Sequence, residues 1–172
     1  LTDSWKLFGP MSADVWLLQE TRTTTKYGAS NMKQLGFHII WGKEQSDGTA
    51  LVGIAVKDGR ARPSLQLPGP TKEWEERVVA ALWTPAVGMA MVLVSVYGFT
   101  STTAAQKTSL NHLLLRLVEL SEEKGGQCMI GGDLNVQLHE LPATDWLAAT
   151  GWKDEHEGAT CVVARNSLLT TY

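Results

Sequence analysis

The sequence predicts an α/β (α+β) fold in which a layered sheet core is flanked by helices, and three observations predict it. Strand-like and helix-like stretches are intermixed along the chain. Two long apolar runs, Glu76 to Trp83 and Met89 to Tyr97, are joined by Thr84 to Gly88, the pattern of a hairpin. Both runs are continuously apolar, so both faces of their sheet have to be covered. At 172 residues, 44% of them hydrophobic, the chain can bury one sizeable core, and 1–172 is expected to be a single domain.

The elements follow in order. Asp3 to Phe8 reads as a short helix capped by Asp3 or Ser4 and stopped by Gly9-Pro10. Asp14 to Glu20 has an apolar centre, Val15 to Leu18, and reads as a buried strand that ends in a carboxylate. Thr24 to Leu35 is a helix ended by Gly36. Phe37 to Trp41 and Ala50 to Lys57 are strands, the second interrupted by Gly53, with a polar turn between them. Arg60 to Lys72 is proline-rich and reads as irregular. After the hairpin, Thr102 to Lys124 is the longest helix, with Leu110, Leu113, Leu114, Leu117 and Val118 on one stripe and Gly125-Gly126 at its end. Gln127 to Ile130 is a short apolar strand that runs into Gly131-Gly132-Asp133-Leu134-Asn135. Ala143 to Thr150 is a short helix closed by Gly151, and Thr160 to Tyr172 begins as a strand. No internal repeat, linker or low-complexity tract is visible.

Three of these strands end in a useful polar group: Gln19-Glu20, Val96-Tyr97-Gly98, and the Gly131-to-Asn135 pentapeptide. Residues two apart in an extended stretch point the same way, so Asp133 and Asn135 are expected to face one site. If the strands lie side by side, their ends gather two carboxylates, a carboxamide and a phenol. That set suits metal-assisted attack on a phosphodiester. A hard cation wants carboxylate oxygen, an aligned carboxylate activates water, and neutral donors steady phosphate oxygens. The plainer alternatives are a solvated charge at Glu20, a rim aromatic at Tyr97 and a simple turn at Asp133 to Asn135. Asp133 to Gln137 echoes a calcium loop, but Leu138 stands where that loop needs glycine and Thr144 where it needs Glu, which rules it out.

Leu18-Gln19-Glu20-Thr21, Ser95-Val96-Tyr97 and Gly131-Gly132-Asp133-Leu134-Asn135, in this order and spacing, resemble the endonuclease/exonuclease/phosphatase superfamily. Its members include exonuclease III-like repair nucleases, pancreatic-type deoxyribonuclease and the endonuclease domain of non-LTR retrotransposons. The Thr160-Cys161 run is most similar to the retrotransposon branch. The resemblance implies a DNase I-like β-sandwich with helices outside and a Mg²⁺- (or Mn²⁺-) dependent endonuclease cutting DNA. It implies Glu20 as metal ligand, Tyr97 as a phosphate contact, Asp133 as the group that aligns or deprotonates water, and Asn135 as a holder of a phosphate oxygen.

The departures from that pattern also carry expectations. The superfamily opens with a strand ending in a site Asn and closes with an Ile-Asp strand and a Ser-Asp-His motif; none is present, and the chain begins with Leu1. An incomplete domain, cut at both ends and impaired or non-catalytic as a separate molecule, is therefore expected. His38, His112, His139 and His156 do not fit the missing histidine's role. A phosphatase of a lipid or small molecule stays open, since the site chemistry is shared.

The net charge of −3 gives no whole-chain attraction to nucleic acid, so a local patch would have to meet it. Arg22, Lys26, Lys57, Arg60 and Arg62 are the candidates, if the loops after Glu20 and after Lys57 flank the site; ordinary solvated surface carries such charges too. Cys128 on an apolar strand favours a buried thiol and a reducing, intracellular setting, nuclear under the DNA-cutting expectation. The longest apolar run, Ala86 to Val96, is too short to span a bilayer, and no membrane or protein partner is expected.

Overall fold

The computed structural model describes residues 13–57, 61–63, 72–86, 89–100, 103–123, 127–153, 161–163 and 167–169. The helix expected at Asp3 to Phe8 lies outside them. Two sheets face each other. One has three strands in the order β1 (Val15–Gln19), β3 (Val52–Lys57), β2 (Phe37–Trp41), antiparallel throughout. The other has four in the order β4 (Ala61–Pro63), β5 (Val78–Ala86), β6 (Met89–Tyr97), β7 (Cys128–Asp133). The β5–β6 hairpin is antiparallel, and β6 and β7 are parallel, joined through helix α2 (Ala104–Glu123). Parallel neighbours need such a crossover. Two short strands, β8 (Cys161–Val163) and β9 (Ser167–Leu169), pair with each other.

Strand alternation assigns every apolar side chain to a layer. Val92, Val94 and Val96 of β6 face α2, where Leu110, Leu113, Leu114 and Leu117 bury them. Leu93 and Tyr97 of the same strand point the other way, onto Val52, Ile54 and Val56 of β3. Helix α1 (Thr25–Gln34) covers the outer face of the small sheet through Met32, against Ala55, Trp16 and Ile39. The result is helix, sheet, sheet, helix: the covered faces expected of two continuously apolar strands, in the sandwich that the superfamily resemblance implies. Among the described residues no helix is long and apolar enough to cross a membrane.

The helix ends follow local chemistry. The Thr24 hydroxyl accepts from the Tyr27 amide at the start of α1, and Gly36 takes φ 83° just past its end. Thr103 and Gln106 exchange hydrogen bonds at the head of α2, a capping box. The short helix α3 (Ala143–Ala149) is held to α2 by the Asn111 carboxamide oxygen, which accepts from the Ala143 amide at 2.6 Å.

Several boundaries differ from the sequence expectation. Strand β5 runs on to Ala86 with a register irregularity between Trp83 and Ala86, so the expected five-residue loop is largely strand. The stretch read as irregular contributes an edge strand, β4, and a 3-10 turn at Lys72–Trp74 that buries Trp74. Strand β7 does not stop before its glycines; it pairs through Gly131, Gly132 and Asp133. Gly132 sits at φ 148° where a Cβ would meet the Val96 carbonyl oxygen, so glycine here lets strand pairing continue. Cys128 is only partly buried.

Candidate active site

The register of β6 and β7 places Tyr97 opposite Asp133. Both belong to the inter-sheet face, as Ser95 and Gly131 do two pairs earlier. Strand β1 arrives from the other sheet. Its last residue, Gln19, donates from Nε2 to the Ser95 hydroxyl at 2.8 Å, and that hydroxyl donates to the Leu18 carbonyl at 3.0 Å. Three strand ends from two sheets thus meet at one edge, and Glu20 is the next residue of the chain.

Glu20 is exposed, with φ 49°, and its carboxylate takes a hydrogen bond and salt bridge from Arg22, itself at φ 42°. Left-handed backbone at two charged residues is uncommon. Its charge reaches both partners from the larger sheet. Burial first, and then the Glu20 carboxylate, hold the Asp133 pKa above the ordinary carboxylate range, against a lowering hydrogen bond from the Asn135 amide. The Tyr97 phenol is pushed up by burial, then by Glu20 and Asp133, with Arg77 and Arg22 opposing. Glu20, Tyr97 and Asp133 therefore share one electrostatic environment.

Asn135 joins them by a different route from the one expected. Its φ of 55° is not that of an extended strand, so alternation does not aim it. The chain turns instead: the Asn135 amide donates to Asp133 Oδ1 at 3.1 Å, and Nδ2 donates to the Gly98 carbonyl at 3.4 Å. Asn tolerates this conformation because its short side chain can bond locally. Gly98 is the contact point, its amide donating to the Asp133 carbonyl at 2.6 Å.

The expected basic contacts divide. Arg22 stands on Glu20. Lys26 is exposed on the first turn of α1. Arg60 lies outside the described residues, as does the side chain of Arg62. Lys57 is misplaced by the expectation: β3 is antiparallel to β1, with Val56 beside Val15 and Val52 beside Gln19. Lys57 therefore leaves the sheet level with Asp14, at the end away from Glu20 and roughly 20 Å of strand distant. His38, His112 and His139 are exposed on β2, on α2 and in the 3-10 turn Leu138–Glu140, and His156 lies outside the described residues.

Sequence reasoning missed Arg77. Its guanidinium donates to the Gly98 carbonyl at 2.7 Å and the Tyr97 carbonyl at 3.4 Å, and lies 4.2 Å from the Phe99 ring centroid and 5.2 Å from that of Tyr97. The hairpin register carried the signal. Val78 pairs with Val96, so the residue before the one and the residue after the other come together, and the Tyr97 amide donates to the Arg77 carbonyl. Gln19 and Ser95 were quoted within motifs and given no task.

No protein-family model matches the chain, and no curated protein does. Solved structures do. The endonuclease domain of TRAS1, a telomere-specific non-LTR retrotransposon, aligns at 22% identity over 80% of this chain and 58% of that one, with a TM-score of 0.50. D. rerio TDP2 complexed with a single-strand DNA product aligns at 15% identity over 99% of this chain and 72% of that one, with a TM-score of 0.58. ANGEL2, a 2',3'-cyclic phosphatase, aligns at 18% over 78% and 43%, with a TM-score of 0.58. All are endonuclease/exonuclease/phosphatase superfamily members. The chain has the fold of that superfamily. It spans about half the length of the TRAS1 and ANGEL2 structures, 58% and 43%.

The superfamily fold implies a divalent cation, and the residues present can be tested against it. Among the described residues no group of three or more His, Cys, Asp and Glu side chains gathers as a ready metal cage. Mg²⁺ does not ask for one: it keeps several waters and binds through one or two carboxylates together with substrate phosphates. Glu20, exposed and within electrostatic reach of Asp133, meets that requirement with hard oxygen donors alone. The donor set fits.

Proposed function

We propose that the protein is a metal-dependent phosphodiester hydrolase that cleaves DNA in the manner of an endonuclease. The observation that carries the proposal is the meeting of three strand ends, which gathers Glu20, Tyr97, Asp133 and Asn135. The TRAS1 endonuclease domain and the DNA-bound TDP2 structure share the fold and support nucleic acid as the substrate class.

Glu20 would hold the cation, Mg²⁺ or Mn²⁺, which when bound neutralises charge on the phosphate and on the leaving oxygen. Asp133 aligns the attacking water and takes its proton. Its position suits a base: partly buried, with a raised pKa, and oriented by the Asn135 amide. The Asn135 carboxamide donates to a phosphate oxygen without adding negative charge. The Tyr97 phenol, kept protonated by its surroundings, donates to another. Arg22 offers a guanidinium to the same phosphate once it leaves Glu20. Lys26 and, by sequence, Arg60 are further candidates for the nucleic-acid backbone.

The test incubates the full-length gene product with supercoiled plasmid and Mg²⁺. Nicking is expected, EDTA stops it, Asp133→Ala lowers it by about 10²–10⁴-fold, the usual worth of a positioned acid–base group, and Glu20→Ala lowers it by removing the carboxylate that would hold the cation. Nicking that persists in both variants rejects the site. A folded protein that binds DNA without cutting it would instead be a binding module of the same fold.

A further inference from the structure

We propose that Gln19 and Ser95 are positioning residues: their hydrogen bond is a cross-sheet latch that fixes Glu20 beside Tyr97 and Asp133. Ser95 is fully buried in β6 among valines and leucines, and it is the buried polar side chain among the described residues. Nothing about strand packing calls for a hydroxyl there. It accepts from Gln19 Nε2 at 2.8 Å and donates to the Leu18 carbonyl at 3.0 Å, so one oxygen holds two consecutive residues of β1 across 76 positions of sequence.

The latch lies where it can act on all three site groups. Ser95 precedes Tyr97 by two residues on the same strand face, and it pairs with Gly131, which precedes Asp133 by two. Gln19 immediately precedes Glu20. Glu20 itself is exposed and is met by Arg22, an exposed neighbour on the same loop, so among the described residues its own side chain has no anchor in the opposite sheet. On its far side, the Thr21 hydroxyl donates to the Ala50 carbonyl beside β3, which ties the loop only to its own sheet. Val15 and Leu17 pack β1 against the other sheet through apolar contact, and at its Glu20 end the Ser95 hydroxyl adds the polar fastening. The same fastening would then govern how well Glu20 holds a cation beside Asp133, a consequence that rests on the hydrolase proposal above.

Two measurements test this. In the cation-free protein, amide hydrogen exchange is compared for wild type, Ser95→Ala and Gln19→Ala. The latch predicts about three- to tenfold faster exchange at 18–22, the worth of one net hydrogen bond, with β3 and α2 at wild-type rates. Unchanged exchange at 18–22, or acceleration spread over the whole chain, overturns it. Mn²⁺ titration then compares Gln19→Ala in the wild-type and Glu20→Gln backgrounds. Weaker binding in the first and no further loss in the second is expected, whereas equal losses in both mean the pair does not act through Glu20. A wild-type protein that takes up no Mn²⁺ rejects the hydrolase proposal, while the exchange measurement still decides the latch.

Discussion

Gly98 and Gly132 show how tightly the backbone closes around the candidate site. A Cβ on Gly98 would lie 1.9 Å from the Leu134 carbonyl oxygen, and one on Gly132 would lie 1.9 Å from that of Val96. Gly98→Ala or Gly132→Ala should each destabilise by at least about 1–3 kcal/mol, because the clash is with backbone. Gly36→Ala is the control: its φ of 83° costs something, but nothing stands within 4 Å. Urea unfolding of the three variants checks the order. Asp133 makes a second prediction. Its folded pKa lies above that of an unfolded aspartate, so stability falls as pH rises through that interval, and above it ionised Asp133 is a net cost. Asp133→Asn should raise the melting temperature at neutral pH. Glu20→Gln should lower the Asp133 pKa itself, read by carboxyl carbon NMR, since a like charge is removed.

At the scale of elements, β6 is shared by both cores. Its valines serve α2 while Leu93, Ser95 and Tyr97 serve the inter-sheet layer. Leu117→Ala on α2 and Leu93→Ala on β6 remove equally buried side chains, at 1% and 0% exposure, and each should cost about 2–5 kcal/mol in denaturant unfolding. Their effects on the site should differ. Leu93 shares a face with Tyr97, so Leu93→Ala should also weaken Mn²⁺ binding; Leu117, on the far face, should leave it at the wild-type value in the fraction that remains folded. These elements were mostly legible in the sequence, because continuous apolar runs and a Leu stripe have few other readings. The edge strand β4 was not. Its three residues pair with β5 in a prolyl stretch that carries no periodicity, and only the neighbouring strand makes it a strand.

For the whole molecule, charge and topology set what the site can meet. The chain carries a net −3, so any attraction to a polyanion is local. Binding of a single-stranded oligonucleotide should weaken with salt, and Lys26→Ala should reduce the log–log salt slope by about 0.7 if Lys26 meets a phosphate, as anisotropy titrations at several salt concentrations would show. Lys57→Ala should leave the slope unchanged, because the antiparallel pairing of β1 and β3 carries Lys57 away from the Glu20 edge. A charge count along the chain cannot make that distinction.

Residue pattern alone determined the layered sheet core, the longest helix and the candidacy of Glu20, Tyr97, Asp133 and Asn135. Those properties are local: periodicity, turn chemistry and the residue type at a strand end act over a few positions. The docking of two sheets decided the rest. It brought Glu20 within electrostatic reach of Asp133 and made Ser95 a bridge to Gln19, while strand pairing within one sheet gave Arg77 the Tyr97 and Gly98 carbonyls and, within the other, carried Lys57 to the end away from Glu20. Each depends on strand register and on contacts between residues far apart in the chain, and those form only when the two apolar faces bury one another.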